Sequence, residues 1–401
     1  MKRAEVIVVG AGSAGRSGAE ALAQWGKDVL LVDGEAALPY KRTKLSKNLH
    51  RTLHDDVFAL HPSSWYAHHG IRLMTGVSVH ALVPEKQQIE IGEELWEYES
   101  LLLCTGARPR LSLPGFEQAY ALWDFQEARI LQKDLFKNRH LIVMGSGVLG
   151  TEVAWQGIQA GMRVSLIGRT SLPMEHYLDS VIAQMLQTSM VESGVEVHSG
   201  CCVKSLQTKG EDVWVETDGP VLKGDLAVAA LGASPETRLA EKAGLTVSEG
   251  ILVDAQQRTS HPHIWAAGDC TVPWVPEGWT DETYNTGRWH AAESAGQRAA
   301  ASIAGEEMDV RPGPHRLKCE SFHSYWFSAG NAGSHKSFSP PSVHALYETP
   351  LGLWSLGFQQ EKLVSASGAF IEGWDGKAGK KVSELLSQGS TEKQVQEALD
   401  L

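Results

Sequence analysis

The sequence predicts an α/β protein in which one strand–loop–helix–strand unit occurs twice and a small α+β segment follows. Three observations support this. A glycine-rich loop directly follows a buried strand near the start, a second loop of the same pattern occurs further on, and short strand-like runs fill the last part of the chain. At 401 residues the chain is too long for one ordinary domain.

The first unit opens the chain. Residues 5–9 have the pattern of a buried strand, Gly10-Ala11-Gly12-Ser13-Ala14-Gly15 follows at once, and after a helical pattern a second strand ends in Asp33. Gly10 permits the tight turn, Gly12 lets a pyrophosphate approach the backbone, and Gly15 lets helix and strand pack closely. The helix N-terminus offers amides to phosphates, and Asp33 can accept hydrogen bonds from ribose hydroxyls. The unit predicts a Rossmann-like dinucleotide-binding domain.

The second unit repeats the first. Residues 140–144 form the strand, Gly145-Ser146-Gly147-Val148-Leu149-Gly150 is the loop, and the next strand covers 164–167. Gly145, Gly147 and Gly150 correspond to Gly10, Gly12 and Gly15 of the first loop and are expected to have the same roles. Two dinucleotide sites in one chain suggest two dinucleotides with electron transfer between them.

The acid that ends the first unit is missing from the second. At the position that corresponds to Asp33 the second unit has Gly168, followed by Arg169. An acid there would repel a 2′-phosphate, whereas a guanidinium can pair with one. This predicts NADPH as the second nucleotide. The alternative is that Arg169 is a solvated loop residue and NADH binds through backbone contacts.

Charge and composition exclude some classes of protein. A net charge of −12 argues against a nucleic-acid-binding protein, although Lys41, Arg42, Lys44 and Lys47 form a local basic cluster, of which a solvated loop is the simplest reading. No apolar run has the length of a membrane span. The start of the chain shows no cleavage-site pattern, so we expect a cytoplasmic location.

The five cysteines form no CxxC pair, so neither zinc nor a redox-active dithiol is indicated. Adjacent Cys201 and Cys202 are expected on opposite faces of one strand, which makes a disulphide between them unfavourable. The pair His261 and His263 lacks a third ligand at metal spacing, so no metal site is predicted.

Several further motifs carry a family resemblance. Pro39-Tyr40-Lys41-Arg42-Thr43-Lys44-Leu45-Ser46-Lys47 is similar to a P-Y-x-R-P-P-L-S-K segment. Residues 101–109, 231–235, 264–270 and 289–292 are similar to other motifs of the same proteins. With the two glycine loops, the chain resembles the FAD-dependent pyridine nucleotide-disulphide oxidoreductase superfamily, and within it the branch of ferredoxin, putidaredoxin and rubredoxin reductases.

The resemblance implies cofactors and residue roles. FAD binds at the first loop, Arg42 lies near its phosphates and Lys47 near the flavin N5. Glu152 lies beside the nicotinamide and pairs with Lys47, although from the residues alone it could be a solvated first-turn carboxylate. The remaining cofactor-binding positions that the resemblance implies are Thr105, Gly106, Gly232, Asp269 (the ribitol chain) and Trp289 (the start of the helix aimed at the flavin pyrimidine).

The motifs also predict the domain layout. The FAD domain covers 1–110 and 235–315, the NAD(P) domain 111–234, and a C-terminal domain 316–401. In the last, strands are expected at 321–328, 345–348, 353–359 and 364–371, followed by two helices. Residues 324–329 resemble a stretch that lies against the second flavin face, with Phe327 and Ala329 at altered positions. The loop 271–287, with Trp274 and Trp279, is either ordinary packing of aromatic side chains or a docking or lid surface.

The electron acceptor is predicted from an absence in the sequence. Disulphide reductases of this superfamily carry reactive cysteines soon after the first ribose-binding acid, but no cysteine occurs between Asp33 and Leu103. Electrons are therefore expected to leave the flavin directly for a small iron–sulphur protein or rubredoxin. Two alternatives remain: a reductase of quinones, radicals or oxygen, suggested by Phe327 and Ala329, and a redox-sensing flavoprotein similar to apoptosis-inducing factor. The oligomeric state stays open.

Overall fold

The computed structural model describes residues 2–50, 53–54, 58–273, 289–306, 308, 316–330, 343–371, 374 and 376–401. The elements of the first part are β1 (Lys2–Val9), α1 (Ser13–Gln24), β2 (Val29–Asp33), α2 (Ser63–His68), β3 (Ile71–Thr75), β4 (Val79–Val83), β5 (Gln88–Ile91), β6 (Glu94–Leu103) and β7 (Ala107–Pro109).

The central part begins with α3 (Phe125–Asp134), β8 (His140–Met144), α4 (Val148–Gln159), β9 (Arg163–Gly168), α5 (Ser180–Glu192) and β10 (Val195–Ser199). It continues with β11 (Val203–Lys209), β12 (Asp212–Thr217), β13 (Leu222–Gly224), β14 (Leu226–Ala229), β15 (Ala233–Pro235) and α6 (Arg238–Lys242).

The last part contains β16 (Ile251–Val253), β17 (Ile264–Ala266), β18 (Thr271–Pro273), α7 (Trp289–Ala304), β19 (Arg316–Ser321) and β20 (Ser324–Gly330). After these come β21 (Val343–Thr349), β22 (Gly352–Gln359), β23 (Lys362–Ile371), α8 (Lys377–Gln388) and α9 (Glu392–Leu399). Of the described helices, none has the length and apolar character needed to cross a membrane.

The first sheet has the strand order β3-β2-β1-β6-β5-β4, with β17 pairing to β6. β1, β2, β3 and β17 run parallel to their neighbours, so the ends of β1, β2, β6 and β17 meet at one edge. Parallel sheets bind ligands at the carboxyl edge of the strands, where the order reverses. That edge carries the first glycine loop.

The second sheet is parallel, with the order β10-β9-β8-β14, and carries the second glycine loop after β8. Cys201 and Cys202 lie between β10 and β11 and not in a strand, so the expectation of opposite strand faces is wrong. In this connection Cys201 N donates to Gly168 O at 2.9 Å and Cys202 N donates to Asp218 Oδ1 at 2.8 Å.

Two short segments join the two sheets side by side. β7 leads towards the second sheet and β15 returns from it, and they pair antiparallel, with Ala107 opposite Pro235 and Pro109 opposite Ala233. Arg110 N also donates to Gly232 O at 3.0 Å. Both crossings of the chain therefore pass through one two-stranded ribbon.

The last sheet is antiparallel in the order β19-β20-β23-β22-β21, and α8 packs against β20 and β23. The prediction of one strand over 321–328 is wrong at its start. β19 ends at Ser321, the chain turns at Phe322 (φ 52°) and His323 (φ 58°), and β20 begins at Ser324, so the two strands form a hairpin. Left-handed φ at both central residues is the geometry of a tight hairpin turn. Neither residue is Gly, Asn or Asp, so the turn gave no sequence signal.

Candidate functional site

The first glycine loop has the close contacts that its three glycines predict. A Cβ at Gly10 (φ 99°) would lie 2.2 Å from Cys104 O, and one at Gly15 would lie 1.8 Å from Gly10 O. At Gly12, by contrast, a Cβ would meet nothing within 4 Å, because this position faces open space in the cavity. The loop therefore offers bare backbone at the start of α1, which fits the pyrophosphate of a dinucleotide.

The second glycine loop repeats this geometry. A Cβ at Gly145 (φ 120°) would lie 2.2 Å from Ala230 O, one at Gly150 would lie 1.8 Å from Gly145 O, and one at Gly147 would meet nothing within 4 Å. Gly15 and Gly150 do not line the cavity, which agrees with their predicted role in packing helix against strand. Both loops fit a dinucleotide.

One cavity of about 2440 Å³ connects the two loops. Apart from Gly15 and Gly150, every predicted site residue lines it: Gly10, Gly12, Asp33, Arg42, Lys47, Thr105, Gly106, Gly145, Gly147, Glu152, Arg169, Gly232, Asp269 and Trp289. The structure thus brings together residues that lie more than two hundred positions apart in the chain.

Asp33 holds the first loop in place. Its Oδ2 accepts a hydrogen bond from Ala11 N at 2.5 Å, and its Oδ1 accepts one from Glu35 N at 2.8 Å. Burial raises the pKa of the Asp33 carboxyl, which these backbone donors partly oppose. Its predicted contact with ribose hydroxyls stays a prediction.

Arg42 lies in an aromatic and acidic setting on the wall of the cavity. Its guanidinium donates to the Glu35 carboxylate and to the backbone carbonyl of Trp123, and it lies 5.4 Å from the ring centroid of Tyr40 and 5.6 Å from that of Trp123. Tyr40 Oη also donates to Glu35 Oε2 at 2.9 Å. Glu35, which the sequence did not single out, therefore fixes the side chain predicted near the FAD phosphates.

Of the other predicted positions, Thr105, Gly106 and Gly232 lie in turns near the ribbon between the sheets, and Trp289 lies at the start of a helix. Thr105 Oγ1 donates to Glu236 O at 2.6 Å, and Gly106 (φ 70°) and Gly232 (φ 90°) have left-handed φ angles that favour glycine. Trp289 begins α7 as predicted, its carbonyl accepts from Ser13 Oγ at 3.0 Å, and Lys41 Nζ lies 5.3 Å from its ring centroid.

Lys47 and Glu152 meet between the two loops. Lys47 Nζ lies 3.7 Å from Glu152 Oε1, and the Ser46 hydroxyl donates to Glu152 Oε2. Glu152 is buried, so the alternative of a solvated carboxylate is wrong. Burial raises the pKa of the Glu152 carboxyl, while Lys47 and Ser46 act in the opposite direction. The predicted contact between Lys47 and Glu152 is confirmed.

A second contact lies one helical turn further along α4, where Gln156 Oε1 accepts hydrogen bonds from His50 N at 3.1 Å and from His50 Nδ1 at 2.7 Å. The same segment also contacts α3, because Gln132 Nε2 donates to Leu49 O at 2.9 Å. Sequence reasoning missed Ser46 and Gln156. The available signals were that Ser46 precedes Lys47 and that Gln156 stands four positions after Glu152, on the same face of a helix.

Residues 324–329 do not line the cavity, so the expectation that they lie against a flavin face is corrected. They form β20 in the interior of the last sheet, where the Phe327 ring contacts Trp354 and Trp374 at centroid distances of 5.6 and 5.9 Å. Arg316, Leu317 and Lys318 of the neighbouring strand β19 line the cavity instead. The loop with Trp274 and Trp279 lies outside the described residues.

Comparisons with known proteins agree with this geometry. A family model described as pyridine nucleotide-disulphide oxidoreductase matches residues 4–297. Rhodocoxin reductase of Rhodococcus erythropolis is 33% identical over 283 residues, which cover 68% of this chain and 66% of that protein, just under two thirds of its length. Rubredoxin-NAD(+) reductase of Ectopseudomonas oleovorans is 29% identical over 377 residues, 90% of this chain and 94% of that one.

A solved structure shares the fold. The ferredoxin reductase for the CYP199A2 system from Rhodopseudomonas palustris superposes with a TM-score of 0.85 at 23% identity, covering 98% of this chain and 97% of that one. The chain belongs to the pyridine nucleotide-disulphide oxidoreductase family. The predicted superfamily is confirmed.

Proposed function

We propose that this protein passes electrons from a nicotinamide nucleotide through FAD directly to a small iron–sulphur protein or rubredoxin. The observation that carries the proposal is the Lys47–Glu152 pair, which links the segment 39–47 to the helix of the second glycine loop inside one cavity. When bound, FAD supplies a flavin ring that accepts a hydride from the nicotinamide and gives up its electrons to the acceptor. The rubredoxin and rhodocoxin reductases among the relatives support an acceptor of this kind.

The residues of the chain position the reactants and set the local field. Lys47, whose side chain is 31% exposed, stabilises negative charge where the flavin N5 is expected. Glu152 holds the Lys47 ammonium group in place and contributes to the nicotinamide site. Ser46 and Gln156 attach the loop that carries Lys47 to α4, the helix that begins at the second glycine loop. The proposed roles of Lys47 and Glu152 thus depend on contacts across the two nucleotide sites.

The five cysteines support direct electron transfer. All five are free, and Cys104, Cys270 and Cys319 are buried. Burial raises the pKa of the Cys104 and Cys270 thiols, which disfavours the reactive thiolate. No cysteine follows the Arg42–Lys47 segment before Cys104.

Basic residues of the cavity wall suggest where an acidic carrier docks. Among the basic residues that line the cavity are Lys41, Arg316, Lys318 and Lys380, which we call the basic rim; Glu384 lines the cavity as well. Burial and the charge of Arg316 lower the pKa of the Lys318 ammonium group, and the charge of Glu320 partly opposes them. A concentration of positive charge on a chain of net charge −12 favours a partner with a local acidic surface.

The alternative of a reductase for small acceptors loses its support. It was suggested by Phe327 and Ala329, but both side chains are buried at 0% exposure and neither lines the cavity. No described residue favours the redox-sensing alternative. We retain the cytoplasmic location as part of the proposal, testable by cell fractionation.

The proposal is tested by following the flavin absorbance of the FAD-loaded protein under anaerobic conditions. Addition of NADPH or NADH should bleach it, and an added oxidised [2Fe–2S] ferredoxin or rubredoxin should restore it. Lys318→Glu should slow reoxidation by the carrier about tenfold at low salt, because it reverses a charge of the basic rim. Lys393→Glu is the control, since that side chain is 85% exposed on α9. Rapid reoxidation by a quinone and none by any iron carrier would overturn the proposal.

A further inference from the structure

We infer that the second glycine loop carries a subsite for the 2′-phosphate of NADPH, formed by Ser146, Arg169 and Thr170. The inference deepens the proposed function, on which it rests, by naming the nucleotide that donates the electrons. Besides the charge of Arg169, the Ser146 side chain contributes, because it restricts which residue fits at position 168.

Ser146 occupies the space that an acid would need at position 168. A Cβ at Gly168 would lie 2.0 Å from Ser146 Oγ and 2.6 Å from Ser146 Cβ, whereas carbon atoms in contact stand about 3.5–4.0 Å apart. In the first loop the corresponding residues are Ala11 and Asp33, and the Asp33 carboxylate accepts from Ala11 N at 2.5 Å. The second loop has therefore replaced the ribose-binding acid with the side chain of its own loop residue.

Ser146 is held in this position by the segment that follows β9. Met174 N donates to Ser146 O at 2.8 Å, and Met174 is buried with a left-handed φ of 54°. Ser146 Oγ lies 3.3 Å from Thr170 Oγ1, which donates its own proton to Leu172 O at 2.8 Å. Ser146 is therefore the donor in this long contact, and rotation about its Cβ–Oγ bond turns the proton from Thr170 towards an acceptor in the cavity.

The charge beside these hydroxyls is positive. Arg169 is exposed, lines the cavity and forms no ion pair with any residue in the described part of the chain. The acid of the same segment, Glu175, accepts a hydrogen bond from Leu172 N at 3.0 Å. A guanidinium beside two hydroxyls suits a phosphate monoester, and an unmodified ribose would find no carboxylate at position 168 to accept its hydroxyl protons.

The test compares nucleotide affinities by calorimetry on the FAD-loaded protein, with NADP+ and NAD+ and with the fragments 2′,5′-ADP and 5′-AMP. We expect the wild-type protein to bind NADP+ at least tenfold more tightly than NAD+. Arg169→Gln should weaken NADP+ and 2′,5′-ADP about 10- to 100-fold and leave NAD+ within twofold, because it removes a charged hydrogen bond to phosphate. Arg163→Gln, at the opposite end of β9, is the matched control and should change neither affinity.

A second variant tests the steric argument. After Ser146→Gly the nearest atom to a Cβ at position 168 is the Cα, 3.7 Å away, so the double variant Ser146→Gly with Gly168→Asp has room for the acid. It should reverse the preference towards NAD+, whereas Gly168→Asp alone should weaken both nucleotides. Equal wild-type affinities, or an equal loss for both nucleotides in Arg169→Gln, would overturn the inference. Failure of the proposed function is separate, because neither NADPH nor NADH would then bleach the flavin.

Discussion

The two glycine loops of this chain have the same backbone and differ at the strand end beside them. Gly15 and Gly150 approach the first glycine of their own loop at the same hypothetical Cβ distance of 1.8 Å, and Gly12 and Gly147 both face open space. Beyond this shared frame, Asp33 binds the amide of Ala11 in the first loop, while Ser146 fills the corresponding place in the second. The backbone thus selects the class of ligand, a dinucleotide, and the side chains beside it select the particular one.

The largest expected effect separates the roles of the two loops. Gly15→Ala and Gly150→Ala each place a Cβ against a backbone carbonyl, so each should lower the free energy of unfolding by about 3 kcal/mol. Gly15→Ala should also lose FAD, whereas Gly150→Ala should keep FAD and lose affinity for the nicotinamide nucleotide. Urea unfolding and the ratio of FAD to protein measure both.

Gly12→Ala and Gly147→Ala are the controls, because a Cβ there meets no protein atom within 4 Å. They should leave stability unchanged and weaken only the ligand of their own loop. If all four variants lost FAD equally, the separation of the two loops would be wrong.

The next effect concerns the contact between the sites. Lys47→Met should slow flavin reduction by the nucleotide about 10²- to 10³-fold while FAD is retained, because it removes positive charge from the place where negative charge develops. Stopped-flow absorbance measures this rate. Lys44→Met is the control, since Lys44 is exposed and does not line the cavity. Normal reduction in Lys47→Met would show that this contact is structural only.

The smallest effect is a pH dependence. Burial raises the pKa of the Glu152 carboxyl above the ordinary value of 4.5, so as the pH falls it takes up a proton earlier than an exposed glutamate would. Protonation removes the charge that holds Lys47 in place. The rate of flavin reduction should therefore fall by a few-fold at pH values below that raised pKa. Glu152→Gln should abolish this acid limb in stopped-flow rates. A limb of the same position and size in Glu152→Gln would assign it to another group.

The sequence predicted the parts of the site that repeat a local pattern. Both glycine loops, the strands beside them, and the residues Lys47 and Glu152 are where the motifs place them, because each depends on neighbouring positions in the chain. Ser46, Gln156 and Ser146 were missed because their roles arise from contacts between distant segments. The hairpin at Phe322 and His323 and the burial of Phe327 were also missed, because an aromatic run does not show where it turns or which face it presents.

The paired strands β7 and β15 explain how one chain can hold two copies of the same unit. The segment between them leaves and returns at two residues that stand opposite each other in the ribbon, Pro109 and Ala233. An insertion whose two ends meet can lengthen, shorten or be exchanged without moving the strands on either side. The nested order of the two units therefore needs no threading of the chain, and a gene could acquire or replace the inner unit in a single recombination event.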